Sequence, residues 1–252
     1  MDIHETEDEF VPKYPISLVD QVVEFLTKSI LDGRYKSGQR LVENELQRKF
    51  GISRAPIREA FLVLEKNGLL TNIPRKGRVV RRINEKDIAE NFIVRAHLES
   101  LAVRLAMPHL GPEEFNRMES ALSGMILAAK GNDFKTYYKF HYDFHGVFIH
   151  ASKNDTLVRI LENLRYQTIW FQYSHPSAQE RPYDYLIPVH REILDLFMKK
   201  EIDQLDHLVK EHIMVSLDGM LRHLASRKDD RQVLETLKES NSVERLLMSP
   251  KE

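Results

Sequence analysis

The segment from Gly51 to Leu70 constrains the fold more than any other part of the chain, because it reads as the turn and second helix of a winged helix-turn-helix. Phe50-Gly51-Ile52 supplies a tight turn, Ser53 is placed to cap a helix, and Pro56 falls in the first turn, where a missing N–H costs little. Ile57, Phe61, Leu62, Leu64 and Leu69 are expected on one apolar face. That leaves Arg54, Ala55 and Arg58 at the exposed amino-terminal end, the end that a recognition helix presents to base edges and phosphates. Taken alone, the same segment also fits an ordinary amphipathic surface helix with two arginines.

The flanks favour the first reading. Asn67-Gly68 is a helix stop, and residues 69–82 alternate in short β-like runs around Pro74-Arg-Lys-Gly77. This is the pattern of a wing, with Arg75 and Lys76 at its tip and Gly77 permitting close approach to DNA. Upstream, Leu18, Val22, Phe25, Leu26 and Ile30 mark a first helix over 18–31, and a short second helix is expected over 43–50. Residues 12–83 carry 15 Lys/Arg against 7 Asp/Glu, a formal +8. The whole chain totals −1, so the remaining residues sum to −9. A basic module of this kind, joined to an acidic remainder, binds phosphates by counterion release and loses affinity steeply with salt.

At this point the resemblance is specific. The strings Ile30-Leu-Asp-Gly-Arg-Tyr-Lys-Ser-Gly-Gln-Arg-Leu41 and Phe50-Gly-Ile-Ser-Arg-Ala-Pro-Ile-Arg-Glu-Ala60 resemble the signature of the GntR family of bacterial transcription regulators. The resemblance implies that Arg40, Ser53, Arg54, Ala55 and Arg58, with the wing residues Arg75, Lys76 and Gly77, meet a double-stranded operator. A two-fold homodimer on an inverted repeat is the expected arrangement.

Length suits two domains, and 42% hydrophobic content supplies a core for each. The chain has no cysteine, which excludes disulfides and thiolate metal sites and fits a cytoplasmic protein. No apolar run is long enough for a membrane span, and the acidic start is unlike a signal peptide. The expected organisation is a disordered acidic tail over 1–11 and a DNA-binding domain over 12–83. A helical domain follows over 84–226, and a charged tail over 227–252. The fold class is therefore mainly α, a winged helix-turn-helix followed by an antiparallel all-α bundle.

Helices are predicted over 85–107, 112–130, 133–151, 156–173, 185–199 and 201–225, with a long proline-containing loop over 174–184. Within them, His141 and His145 stand four apart on one face, while His190 and His212 lie on two further helices. Neutral imidazole ligates transition metals, so these four could form a metal site; they could equally be packing histidines. Here a second resemblance enters. Phe144-His145, Ala151-Ser-Lys-Asn154, His190-Arg-Glu-Ile193, Lys200-Glu-Ile-Asp203 and His212-Ile213 resemble the FCD effector domain of the FadR-like GntR branch. Many such domains hold a divalent metal with an aspartate and three histidines. His145, His190 and His212 match the histidines, and His141 stands where the aspartate is expected. Four nitrogens imply a later transition metal, zinc or nickel, rather than magnesium or calcium. Asp143, two residues from His145, would point away from the other ligands.

Arg95 lies in Phe92-Ile-Val-Arg-Ala-His-Leu-Glu99, similar to a family motif on the first effector helix. It could hold a small carboxylate effector bidentately, pair with Glu99 at i+4, or do both. His97, His109, His150, His175, His207 and His223 read as surface or packing residues, and Trp170, Phe171 and Tyr173 as core. Two function classes follow: a ligand-responsive transcription regulator, or a helical metalloprotein with catalytic activity at the histidines. The winged helix favours the regulator, since an enzyme has no need of it. Four nitrogens also leave little room for an activated water, and no nucleophile–base pair accompanies them. Transmission between the domains is expected around Ile83 to Asp87.

Overall fold

The structure is a computed structural model that describes residues 16–174 and 183–227. The expectations for the 1–11 tail, for most of the 174–184 loop with His175, and for the charged tail beyond Arg227 fall outside the described residues. The chain divides into two compact units. The first ends at Ile83 and also takes Tyr166–Ser174; the second holds the rest.

In the first unit the order is α1 (Leu18–Leu31), α2 (Glu43–Phe50), α3 (Arg54–Lys66), β1 (Leu70–Ile73) and β2 (Gly77–Val80). Helix α1 is capped by Ser17, whose hydroxyl accepts from the Asp20 N–H at 3.1 Å. Gly51 ends α2 at φ +66°, the left-handed conformation that glycine reaches without strain, and so makes the tight turn. The strands pair antiparallel, Leu70 opposite Val80 and Ile73 opposite Gly77. Helix α3 packs on α1, α2 and β1, burying Ile57, Ala60, Phe61 and Leu64.

Three expectations need correction here. Leu62 is 53% exposed rather than on the buried face. The buried arc of α3 is spanned by residues 57, 60, 61 and 64, and a further 100° turn carries residue 62 out of it. Leu18 is likewise 38% exposed at the start of α1. Ser53 does occupy the N-cap position of α3 with an extended backbone, yet its hydroxyl makes no capping bond. Pro56 is the third helical residue, and so has no N–H to offer the cap.

Within the same unit, Trp170 Nε1 donates to the Arg81 carbonyl at 2.9 Å. Trp170 and Phe171 are buried, in line with the sequence.

The second unit is helical: α4 (Glu85–Ala106), α5 (Pro112–Lys130), α6 (Phe134–Ala151), the first part of α7 (Asp155–Ser174), α8 (Tyr183–Lys199) and α9 (Ile202–Arg227). Local signals set their starts. Asn84 and Asp87 cap α4 reciprocally, at 2.8 and 3.0 Å, and Pro112 opens α5. Asp133 caps α6 through the Thr136 N–H. Helix α5 packs on α6 and α8, α4 on α6 and α9, and α8 on α9. The α5–α6 contact is close because Gly124 has no side chain; a Cβ there would sit 2.6 Å from the Phe140 ring. These packings bring α4, α6, α8 and α9 around one buried centre.

Candidate functional site

Each unit carries a candidate site. In the first, the turn at Gly51 leaves Ser53, Arg54, Ala55 and Arg58 exposed at the start of α3. Arg54 Nε donates to Gln47 Oε1 at 3.1 Å, and Arg58 Nη2 reaches Glu43 Oε2 at 3.3 Å. Arg58 is 62% exposed in its side chain, so this ion pair is screened and weak enough to open toward a phosphate. Arg75 takes φ +65° at the hairpin tip, and Arg75 and Lys76 are exposed beside Gly77. Arg40 forms an isolated bridge with Val79, and its Nε lies 3.9 Å from where a Cβ on Gly77 would be. The wing and Arg40 are thus adjacent, although 37 residues separate Arg40 from Gly77 in the chain.

Two arginines that the sequence does not single out belong to this surface. Arg48 lines a depression with Gln47, Gly51, Ser53 and Arg54. Arg78 reaches Glu43 at 3.1 Å and Glu65 at 2.7 Å, tying the wing to α2 and α3. Neither shows in the sequence, because each role depends on which elements meet.

In the second unit the four histidines named from the sequence come together. One ring nitrogen from each of His141 and His145 on α6, His190 on α8 and His212 on α9 lies within 4.8 Å of the others, and all four residues are buried. Among the described residues this is the group whose donor atoms suit a metal ion. Asp143 is exposed and pairs with Lys139 at 3.2 Å, so it is turned away from the cluster. His97, His109, His150 and His207 are exposed, and the His223 side chain lies outside the described residues.

The hydrogen bonds around the rings decide what the cluster can hold. His145 Nδ1 is 2.7 Å from Glu99 Oε2, and His190 Nδ1 is 2.6 Å from the Leu186 carbonyl oxygen. A carboxylate and a carbonyl only accept, so in each neutral ring the proton sits on Nδ1 and the lone pair on Nε2. Those two Nε2 atoms face each other at 3.2 Å. A tetrahedral ion about 2.05 Å from each nitrogen would space its ligands at about 3.3 Å, so this pair has the separation of two metal ligands. His141 Nδ1 and His212 Nδ1 are buried without a hydrogen-bond partner. Two buried, unpartnered ring nitrogens on members of a four-imidazole cluster fit a cation. The wider spacings, up to 4.8 Å, would need small ring rotations to close.

Electrostatics point the same way. Burial, and then the neighbouring histidines, push His141 and His212 well below the usual imidazole range, and His190 down to about 3. Deprotonated imidazole is the ligating form. Burial alone would raise the Glu99 carboxyl, but Arg95 and His145 outweigh it and hold the group at about 2.

Arg95 is buried on α4 and donates through Nε and Nη2 to Glu99 Oε1, at 3.1 and 2.8 Å. The i+4 pair expected from the sequence is therefore present. Its connection through the other carboxylate oxygen to His145 is new at the level of structure. No spacing rule relates residues 99 and 145.

A winged helix-turn-helix with an exposed basic recognition face, followed by an all-α unit with a buried imidazole centre, defines a class of bacterial regulator. The family model for bacterial regulatory proteins of the gntR family matches residues 18–80, and that for the FCD domain matches residues 90–214. The chain belongs to the GntR family, with an FCD domain following its DNA-binding domain. The uncharacterized HTH-type transcriptional regulator YdhC of Bacillus subtilis is 29% identical over 234 residues, 92% of this chain and 100% of that protein. The probable D-xylose utilization operon transcriptional repressor of Paenarthrobacter nicotinovorans is 28% identical over 203 residues, 80% of this chain and 88% of its own. In fold, the chain is similar to the solved structure of E. coli McbR/YncC, with a TM-score of 0.71 and 22% identity, covering 83% of this chain and 99% of that one. A GntR regulator from Rhodococcus sp. RHA1 gives a TM-score of 0.67 at 20% identity, covering 82% and 98%. No helix among the described residues is long and apolar enough to cross a membrane.

Proposed function

We propose that this GntR-family regulator binds an inverted-repeat operator as a homodimer and is controlled by a small carboxylate that enters its FCD-type unit. Residues 12–83 would read the DNA through Arg40, Ser53, Arg54, Ala55 and Arg58, with Arg75, Lys76 and Gly77 on the wing. Residues 84–226 would hold one divalent transition metal, zinc or nickel, at His141, His145, His190 and His212. The observation that carries the metal is the convergence of one ring nitrogen from each of the four buried histidines within 4.8 Å, with two Nε2 atoms 3.2 Å apart. Four neutral ligands leave the ion's double positive charge uncompensated, and Glu99 is already matched by Arg95. An anionic ligand is thus the natural complement, with Arg95 beside it.

Three measurements on the full chain test the reading. Elemental analysis should find close to one zinc or nickel per chain, and an empty cluster that cannot be refilled would remove the metal. A gel-shift titration on DNA upstream of its own gene should show a dimer binding an inverted repeat, with affinity falling steeply as salt rises. A thermal-shift screen of mono- and dicarboxylates, repeated with Arg95→Ala, should give shifts that the variant loses. Shifts from sugars or amines alone would overturn the carboxylate.

A further inference from the structure

The carboxylate of Glu99 is shared. One oxygen takes both Nε and Nη2 of Arg95, and the other lies 2.7 Å from His145 Nδ1. All three residues are buried, Glu99 to 2% exposure. We propose that Glu99 is a positioning residue: it fixes His145 in the tautomer that turns the Nε2 lone pair into the histidine cluster, and Arg95 clamps it in that orientation. The inference rests on the metal reading above for its consequence, but not for the tautomer itself.

A neutral imidazole left alone divides its proton between two nitrogens and turns freely about its bond to Cβ. Hydrogen-bonded to a buried carboxylate it does neither. The proton stays on Nδ1 and the ring plane is set, which raises the basicity of the nitrogen that would ligate. His190 has a weaker version of the same arrangement, in which the acceptor is the Leu186 carbonyl one turn earlier in its own helix. The carbonyl is fixed by the backbone, whereas a carboxylate side chain has to be held. Arg95 meets that need, because two N–H groups on one oxygen leave the second oxygen directed at His145. Both Arg95 and Glu99 come from α4, whereas the four histidines come from α6, α8 and α9. Helix α4 thus contributes no ligand to the cluster, yet sets the state of one.

Removing Glu99 alone would strand the buried Arg95 and could unfold the chain, so the informative variant is Arg95→Met with Glu99→Met, which replaces the pair by apolar side chains of similar length. Two measurements decide. The first is ¹⁵N NMR of labelled histidine in metal-stripped full-length chain at pH 8. His145 should be protonated at Nδ1 in the wild type, and a mixture of tautomers in the double variant. The second is zinc affinity by competition with a chromophoric chelator, where the double variant should bind about 10–100-fold more weakly than the wild type. A wild-type His145 protonated at Nε2, or a double variant whose zinc affinity equals the wild type's, overturns the inference. If the wild type binds no zinc, the metal reading fails by itself, and the tautomer measurement still decides the role of Glu99.

Discussion

Acidification of the metal-stripped protein should destabilise it over a defined pH window, and His190 shows how far. An unfolded chain binds a proton at this histidine near pH 6.5, whereas the folded chain does so only near 3. Between those values the unfolded state binds more protons, so stability falls as pH falls, by about 1.4 kcal/mol for each pH unit. From pH 6.5 to 4.5 the loss from His190 alone is about 2 kcal/mol, because the slope reaches its full value only below pH 6.5. His141 and His212 are shifted in the same direction and add to it. Glu99 acts in a lower window: its folded pKa of about 2 makes its contribution present above the ordinary carboxylate range and lost only as pH drops below about 4.5. The assay is a set of urea unfolding curves, followed by far-UV circular dichroism from pH 7.5 to 4.5, on wild type and His190→Leu. Titrating groups outside the cluster cancel in the difference, so the variant should lose about 2 kcal/mol less than the wild type between pH 6.5 and 4.5. Parallel stability profiles would show that burial does not hold this ring deprotonated.

Arg54→Ala and Arg58→Ala should each cost about 1–3 kcal/mol in operator affinity and flatten the salt dependence, read by gel shift or fluorescence anisotropy; wild-type binding in both would remove α3 from the interface. Gly124→Val should destabilise the helical unit by about 1–3 kcal/mol in urea titrations, because its Cβ would fall 2.6 Å from the Phe140 ring, while unchanged stability would mean that α5 and α6 can part at no cost.

What can be read in the sequence and what cannot divide along a physical line. Helix starts are legible, because an Asn84–Asp87 box, a Pro112 and an Asp133 each act on their own helix's first turn. The shared face of His141 and His145 follows from the helical repeat alone. That His190 and His212 join them comes from family resemblance rather than periodicity, which says nothing about which helices become neighbours. The acceptor of His145 Nδ1 is hidden for the same reason, since 46 residues separate it from Glu99. Leu62 departs from expectation because an apolar residue adjacent to a buried one lies a further 100° around the helix. Ser53 departs from it because its residue type promises a cap, while Pro56 has removed one of the two N–H groups that a cap can use and the other, on Ala55, is not taken up.

That last feature bears on how the protein grips DNA. A serine at the head of a recognition helix usually has a prior engagement, and moving its hydroxyl to a phosphate would unravel the first turn. Here the helix makes no claim on Ser53, so on the proposed operator contact the same oxygen would turn to a passing backbone with no capping bond to give up, and α3 would keep its geometry.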